Sequence, residues 1–246
     1  MTEAGRRRRW NRTVFTACLF AVTAVFAGNA QHPADPHYTA SGFFDIHVCN
    51  WPDRPPFYLA LYSTTRFDEV ESIRLYGPDG HAIGALALDK YRLVAHKDKP
   101  EKRVFMTQIP IADSDADGWY RAEVRLGNET DTARDFVIHQ LMPRAGGHNP
   151  VDGAENVDMS KRLSWNSIDG AAWYQVYIRD KWNDGKLIYT SKLLNKPWIE
   201  LPQGLLEAGG YYSWRVHARD VDGHILLGDF NTGSQSEWVE FTVRSD

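Results

Sequence analysis

The run Asp113-Ser114-Asp115-Ala116-Asp117-Gly118 sets carboxylates at every second position and ends on a glycine that can turn the chain. Oxygen ligands at that spacing open a calcium loop, so Asp113, Asp115 and Asp117 are the candidate metal ligands and calcium the candidate ion; no other cofactor is indicated. The EF-hand frame fails, because its bidentate glutamate position falls on Val124 with Glu123 one residue short, and Gly118 to Leu126 reads as a strand where a helix would leave. The competing reading is an acidic, solvated turn leading into that strand. A second acidic turn, Asp220-Val221-Asp222-Gly223 with Asp229 beyond it, admits the same two readings. His47 and Cys49 share one face of a strand and could offer two ligands to a soft metal such as copper. No third ligand is identifiable, and a half-buried strand pair is the simpler reading.

Aromatic residues outside clear inward positions are the other chemistry on offer. Trp51, in Asn50-Trp51-Pro52-Asp53-Arg54-Pro55-Pro56, and Trp182, beside Asn183-Asp184-Gly185, are the candidate ligand-binding residues: exposed, they would serve a sugar ring or a partner chain, and otherwise they pack on a neighbouring strand. The Gly-x-Ser-x-Gly elbow, the phosphate loop, the dinucleotide fingerprint and His-Glu-x-x-His are all missing. A non-enzymatic protein is therefore expected, with no catalytic residue assigned. An enzyme whose site assembles only in three dimensions is the remaining alternative.

The elements that must position these residues are short alternating runs separated by Gly, Asp and Asn, the spacing of an all-β sandwich. Phe44, Ile46 and Val48 alternate with Asp45, His47 and Cys49; Tyr120, Ala122, Val124 and Leu126 share one face of a strand that turns at Gly127-Asn128. Further on, Tyr174, Val176 and Ile178 should point inward, and so should Tyr212, Trp214, Val216 and Ala218. Asp184-Gly185 suits the positive φ values of a tight hairpin.

The stretch Leu206-Glu207-Ala208-Gly209-Gly210-Tyr211-Tyr212, with Trp165 on an early strand and the Tyr174-to-Ile178 strand between, resembles the fibronectin type III pattern, with Ala208 where that family often has proline. The likeness covers about residues 149–246 and ends in Ser236 to Val243 as a last strand. It implies a tyrosine corner in which the Tyr212 hydroxyl bonds upstream backbone, Trp165 between the sheets, and a spacer or adhesion platform. Gly118-Trp119-Tyr120-Arg121-Ala122 is similar to the corresponding corner of immunoglobulin-like sandwiches, with Ala122 where antibody domains have cysteine. The expected architecture is two tandem β-sandwiches: residues 1–30 a signal peptide, 31–42 a linker, 43–143 immunoglobulin-like and 149–246 fibronectin type III-like. The short joint around Arg144 to Pro150 should hold them end to end.

Arg6, Arg7, Arg8, Arg9 and Arg12 precede an apolar run from Thr13 to Ala27 and the small residues Gly28 and Ala30, which is a signal-peptide pattern with cleavage expected after Ala30. A periplasmic or secreted bacterial protein without a membrane span after cleavage is implied. Losing residues 1–30 removes five of the 28 basic and one of the 32 acidic residues, which leaves 23 basic and 31 acidic, a formal charge of −8. With no Lys/Arg stripe in the linear sequence, a nucleic-acid partner is not expected. Only Cys49 survives cleavage, so no intrachain disulfide can form; the thiol is either buried or free to pair with another chain. The expected function is an exported interaction or scaffold protein binding a protein partner of the cell envelope through loops or strand edges. Carbohydrate binding through exposed Trp is the alternative.

Overall fold

The computed structural model describes residues 36–95, 97, 99–158, 162–220 and 230–245. These residues are all-β: they form sixteen strands and no helix. The proposed signal segment, Cys18 and most of the second acidic turn lie outside the described residues.

The first sandwich packs two sheets. One contains β1 (Phe43–Asn50), β2 (Phe57–Thr64), β5 (Tyr91–Val94) and β6 (Lys102–Pro110), ordered β1-β2-β6-β5. The other contains β3 (Val70–Tyr76), β4 (Ala82–Ala85), β7 (Gly118–Leu126) and β8 (Glu129–Val137), ordered β4-β3-β7-β8. Alternation puts Phe44, Ile46 and Val48 with Tyr58, Ala60 and Tyr62 against Tyr120, Ala122, Val124 and Leu126 in one core. Strand β2 is buried along its whole length, with Phe57, Leu59 and Leu61 joining smaller clusters on the opposite face. An inward carboxylate, Asp135, is satisfied by the Ile46 amide at 2.9 Å and by His37 Nε2 at 3.0 Å. The described part of the expected linker is thereby tied to the edge strand β8, where Pro36 also accepts the Arg134 amide at 2.8 Å.

The second sandwich holds β9 (Ala154–Val157), β10 (Leu163–Ser164), β11 (Trp173–Asp180), β12 (Lys186–Thr190), β13 (Trp198–Ile199), β14 (Tyr211–Arg219), β15 (Thr232–Gln235) and β16 (Val239–Val243). Its core joins Trp165, Tyr174, Val176, Ile178, Tyr212, Trp214, Val216 and Phe241, all buried. Trp165, directly after β10, packs over the face shared by the paired strands β11 and β14, with ring centroids 5.4 Å from Tyr174 and 6.2 Å from Trp214. The Tyr212 hydroxyl accepts the Glu207 amide at 2.9 Å, which is the geometry of a tyrosine corner. In the β11–β12 connection, Asp184 (φ 50°) and Gly185 (φ 67°) both take left-handed values at the centre of a turn closed by the Lys186 amide on the Asn183 carbonyl at 2.9 Å.

Two features differ from the sequence reading. The last strand is split: β15 pairs with the far part of β14 and β16 with its near part, and between them the Ser236 hydroxyl accepts the Val216 amide at 3.0 Å. The sandwiches also join edge to edge, not end to end. Strand β15 pairs in parallel with β1, through Val48 with Thr232, Cys49 with Gly233 and Asn50 with Ser234, so one ten-stranded sheet crosses both cores. The joining segment is packed: Met142 and Ala145 enter the second core, Pro143 accepts the Ser234 hydroxyl at 2.7 Å, and Met142 accepts the Asn50 side-chain amide at 2.9 Å.

Candidate interaction surface

The aspartate loop between β6 and β7 closes the end of the first sandwich. Asp115 accepts the Ala112 amide at 2.9 Å and the Tyr58 hydroxyl at 3.1 Å, and His81 Nε2 lies 3.6 Å away. Asp117 accepts both the backbone amide (2.8 Å) and Nδ1 (2.9 Å) of His139, bonds that hold its carboxyl below the usual range. Asp113 is exposed. The structure does not gather the three carboxylates of the calcium expectation, Asp113, Asp115 and Asp117, at one point. Two of the three carboxylates are committed to different loop partners, and among the described residues no three His, Cys, Asp or Glu side chains are grouped to hold a metal ion. Gly118 follows with φ 149°, where a Cβ would stand 2.8 Å from Pro78 Cβ, so only glycine lets β7 start beside the Pro78 turn.

The Tyr58 hydroxyl also faces His139 Nε2 and stands 2.8 Å from the Tyr120 hydroxyl, so its single proton is shared among these neighbours and Asp115. Tyr120 in turn donates to the Ala116 carbonyl at 3.2 Å, a second tyrosine corner. An Asp-His-Tyr chain resembles acid–base machinery, but Tyr58 and Tyr120 have no exposed surface and burial pushes both phenols up, so they stay protonated. The network joins β2 of one sheet to β7 of the other and acts as a lock.

The pair on β1 is also structural, and fully buried instead of half-buried. His47 Nε2 lies 2.6 Å from Asp45 Oδ2 and its ring sits 3.9 Å from Phe230. Cys49 packs with Phe57, Leu59 and Trp51. Phe230 also contacts His217 (5.6 Å) and Arg219 (5.3 Å), so a cluster of ionisable groups from both sandwiches is sealed at the β1–β15 seam. Sequence reading missed it because its members come from opposite ends of the chain. The only local signal was the placing of Asp45, His47, His217 and Arg219 in otherwise apolar strands.

The two candidate tryptophans have different fates. Trp51 is half-buried, edge-on to Phe57 at 4.9 Å, with the Arg54 guanidinium 5.6 Å from its ring, so of its two expected places it takes the packed one. Trp182 is 73% exposed at the β11–β12 tip. Its amide donates to Asp180 at 3.0 Å and its ring meets Tyr211 edge-on at 5.7 Å, while Glu240 takes the Tyr211 hydroxyl and Lys181 (2.6 Å). The pair forms no common platform, since Asn50 aligns through Ser234 and Ala218 with Tyr174, and Trp182 lies beyond Asp180, about 20 Å farther along the sheet. On the same sheet, Arg179 and Arg215 sandwich Trp238 at 4.3 and 4.5 Å, and burial followed by the charge of Arg179 draws the Arg215 guanidinium below its ordinary range.

No family model matches the chain, and no curated protein matches it. Solved structures with similarity include Salmonella alpha-2-macroglobulin (12% identity, TM-score 0.26, 88% of this chain and 15% of that one). Domains of titin are similar at 13% identity and TM-score 0.24, over 80% of this chain and 66% of that one. A Dpr2 Ig1-Ig2 structure in complex with DIP-Theta gives 11% identity and TM-score 0.24, over 82% of this chain and 66% of that one. The chain thus spans a small part of the macroglobulin, and the fold rests on the strand pairings above. No helix among the described residues is long and apolar enough to cross a membrane.

Proposed function

We propose that this chain is an exported, non-catalytic interaction protein: an immunoglobulin-like and a fibronectin type III-like sandwich fused into one scaffold that binds a protein partner of the bacterial envelope. The observation that carries the reading is Trp182. A large aromatic left 73% exposed in the β11–β12 connection, yet braced by Tyr211 and by the Lys181–Glu240 pair, gives a partner contact area at little entropic cost. The tyrosine corner at Tyr212 and the inter-sheet Trp165 support the fibronectin type III reading. The arginine-led apolar segment of residues 1–30 supports export, to the periplasm or beyond.

The test is capture from an envelope fraction with the immobilised chain, wild type against Trp182→Ala, alongside retention on a polysaccharide panel. A protein captured by wild type and lost on substitution is the expected result. Polysaccharide retention lost on the same substitution, without protein capture, would assign the chain to the carbohydrate-binding alternative.

A further inference from the structure

The outer face of the β4-β3-β7-β8 sheet carries charge of the opposite sign to the whole chain, which is −4. Register places Arg121 of β7 between Arg134 of β8 and Tyr76 of β3. The Arg121 guanidinium lies 4.4 Å from the Tyr76 ring. Like charges directly opposite in a sheet repel, and the ion pair on this face, Arg125 with Glu71 at 2.9 Å, includes neither of these two arginines. Arg121 Nε is buried without a hydrogen-bond partner, a cost that the free chain leaves standing. The next register position adds Arg74 opposite Glu123, and the face continues into a groove of about 350 Å³ lined by these two, Arg125 and Thr130.

At the other end of the face Trp119 and Phe136 are register partners, 48% and 42% exposed. Their rings meet at 75° with centroids 5.3 Å apart. The edge-to-face contact leaves apolar ring surface of both residues open to a partner's apolar side chain. Ile138, 48% exposed, extends the apolar surface.

We propose that this face binds an acidic segment of a protein partner, with carboxylates bridging Arg121 and Arg134 and an apolar side chain seated between Trp119 and Phe136. The proposal rests on the interaction function above and assigns the partner's chemistry. Bidentate carboxylate binding would satisfy both guanidinium forks and remove their repulsion.

The test is fluorescence anisotropy of the full chain with a short fluorescein-labelled peptide in which one leucine is flanked by glutamates. We expect saturable, salt-sensitive binding that weakens about tenfold in Arg134→Gln and further in Arg121→Gln/Arg134→Gln, for loss of roughly one charge-assisted contact at each step. Trp119→Ala weakens it too, and Leu93→Ala on the opposite sheet leaves it unchanged. Arg134 is exposed, so its variant keeps the test valid if the double variant fails to fold. Absence of peptide binding, binding indifferent to Arg134→Gln, tighter binding of polygalacturonate than of the peptide, or a sedimentation shift showing this face occupied by a second copy would each overturn the proposal. Because the peptide assay does not depend on the natural partner, its failure counts against this face alone, and failure of envelope capture counts against the function.

Discussion

Cys49 of β1 and Gly233 of β15 are register partners across the seam where the two sandwiches become one sheet, and the thiol beside that seam has no exposed surface. Burial pushes its pKa up to about 12, so the thiolate that would attack a disulfide or a maleimide is absent at neutral pH. Cys49 should therefore resist maleimide labelling in the native chain, label fully in denaturant, and give no Cys49-dependent dimer on non-reducing electrophoresis. Rapid native labelling would contradict the sealed seam.

The seam also sets a pH dependence. Burial, with the nearby charge of Arg219, draws His217 well below its ordinary pKa, so it stays neutral when folded and takes up a proton when unfolded. Below pH ~6.5 the unfolded chain binds a proton that the folded chain does not, so stability falls with falling pH, by at most ~1.4 kcal/mol per unit for one histidine. His148, also drawn down by burial, acts in the same direction. Denaturant unfolding at pH 7.5 and 5.0 measures the slope, and His217→Gln should reduce it.

The tyrosine lock predicts coupling. Tyr58→Phe removes the donor to Asp115 and the neighbour of Tyr120, at a cost of about 1–3 kcal/mol. With Tyr120→Phe in a double-mutant cycle, the two losses should add to more than the double variant's, since each phenol serves the same chain of bonds. Strict additivity in thermal melts would deny that the network is one unit.

At the other corner, Tyr212→Phe leaves the Glu207 amide without its acceptor and should cost about 1–2 kcal/mol, with the packing on Phe241 retained. A change within measurement error would show that the corner's hydroxyl is dispensable.

Gly118→Ala forces a side chain into a φ of 149° and against Pro78, which should destabilise by about 1–3 kcal/mol. Calorimetry of the variant decides it, and added calcium should leave both melting temperatures unchanged.

Local pattern carried much of this fold. The alternation of Tyr212, Trp214, Val216 and Ala218 and the Asp184-Gly185 turn were legible because each depends only on neighbours along the chain. The parallel pairing of β15 with β1 was not, since strands far apart in sequence announce no register. Trp51 kept its ambiguity because a half-buried ring on Phe57 and a free one have the same flanking residues. The arginine face was hidden for a related reason: Arg74, Arg121 and Arg134 sit singly on three strands, and only the pleat gathers them on one side. Asp115 and Asp117 showed the spacing of a metal loop, but spacing does not reveal that Tyr58 and His139 claim the carboxylates.

The split last strand has a consequence for the order in which the molecule can be assembled. A chain made from its N-terminus presents β1 and β2 early, while the strand that flanks β1 on its other side, Thr232–Gln235, emerges only after β3 to β14. Until then β1 shows a row of unpaired amides and carbonyls, with Phe43, Ile46 and Val48 beside them, which is a template for stray pairing between nascent molecules. The seam strand is thus both a late-arriving joint and the element that retires the most adhesive edge of the half-made protein.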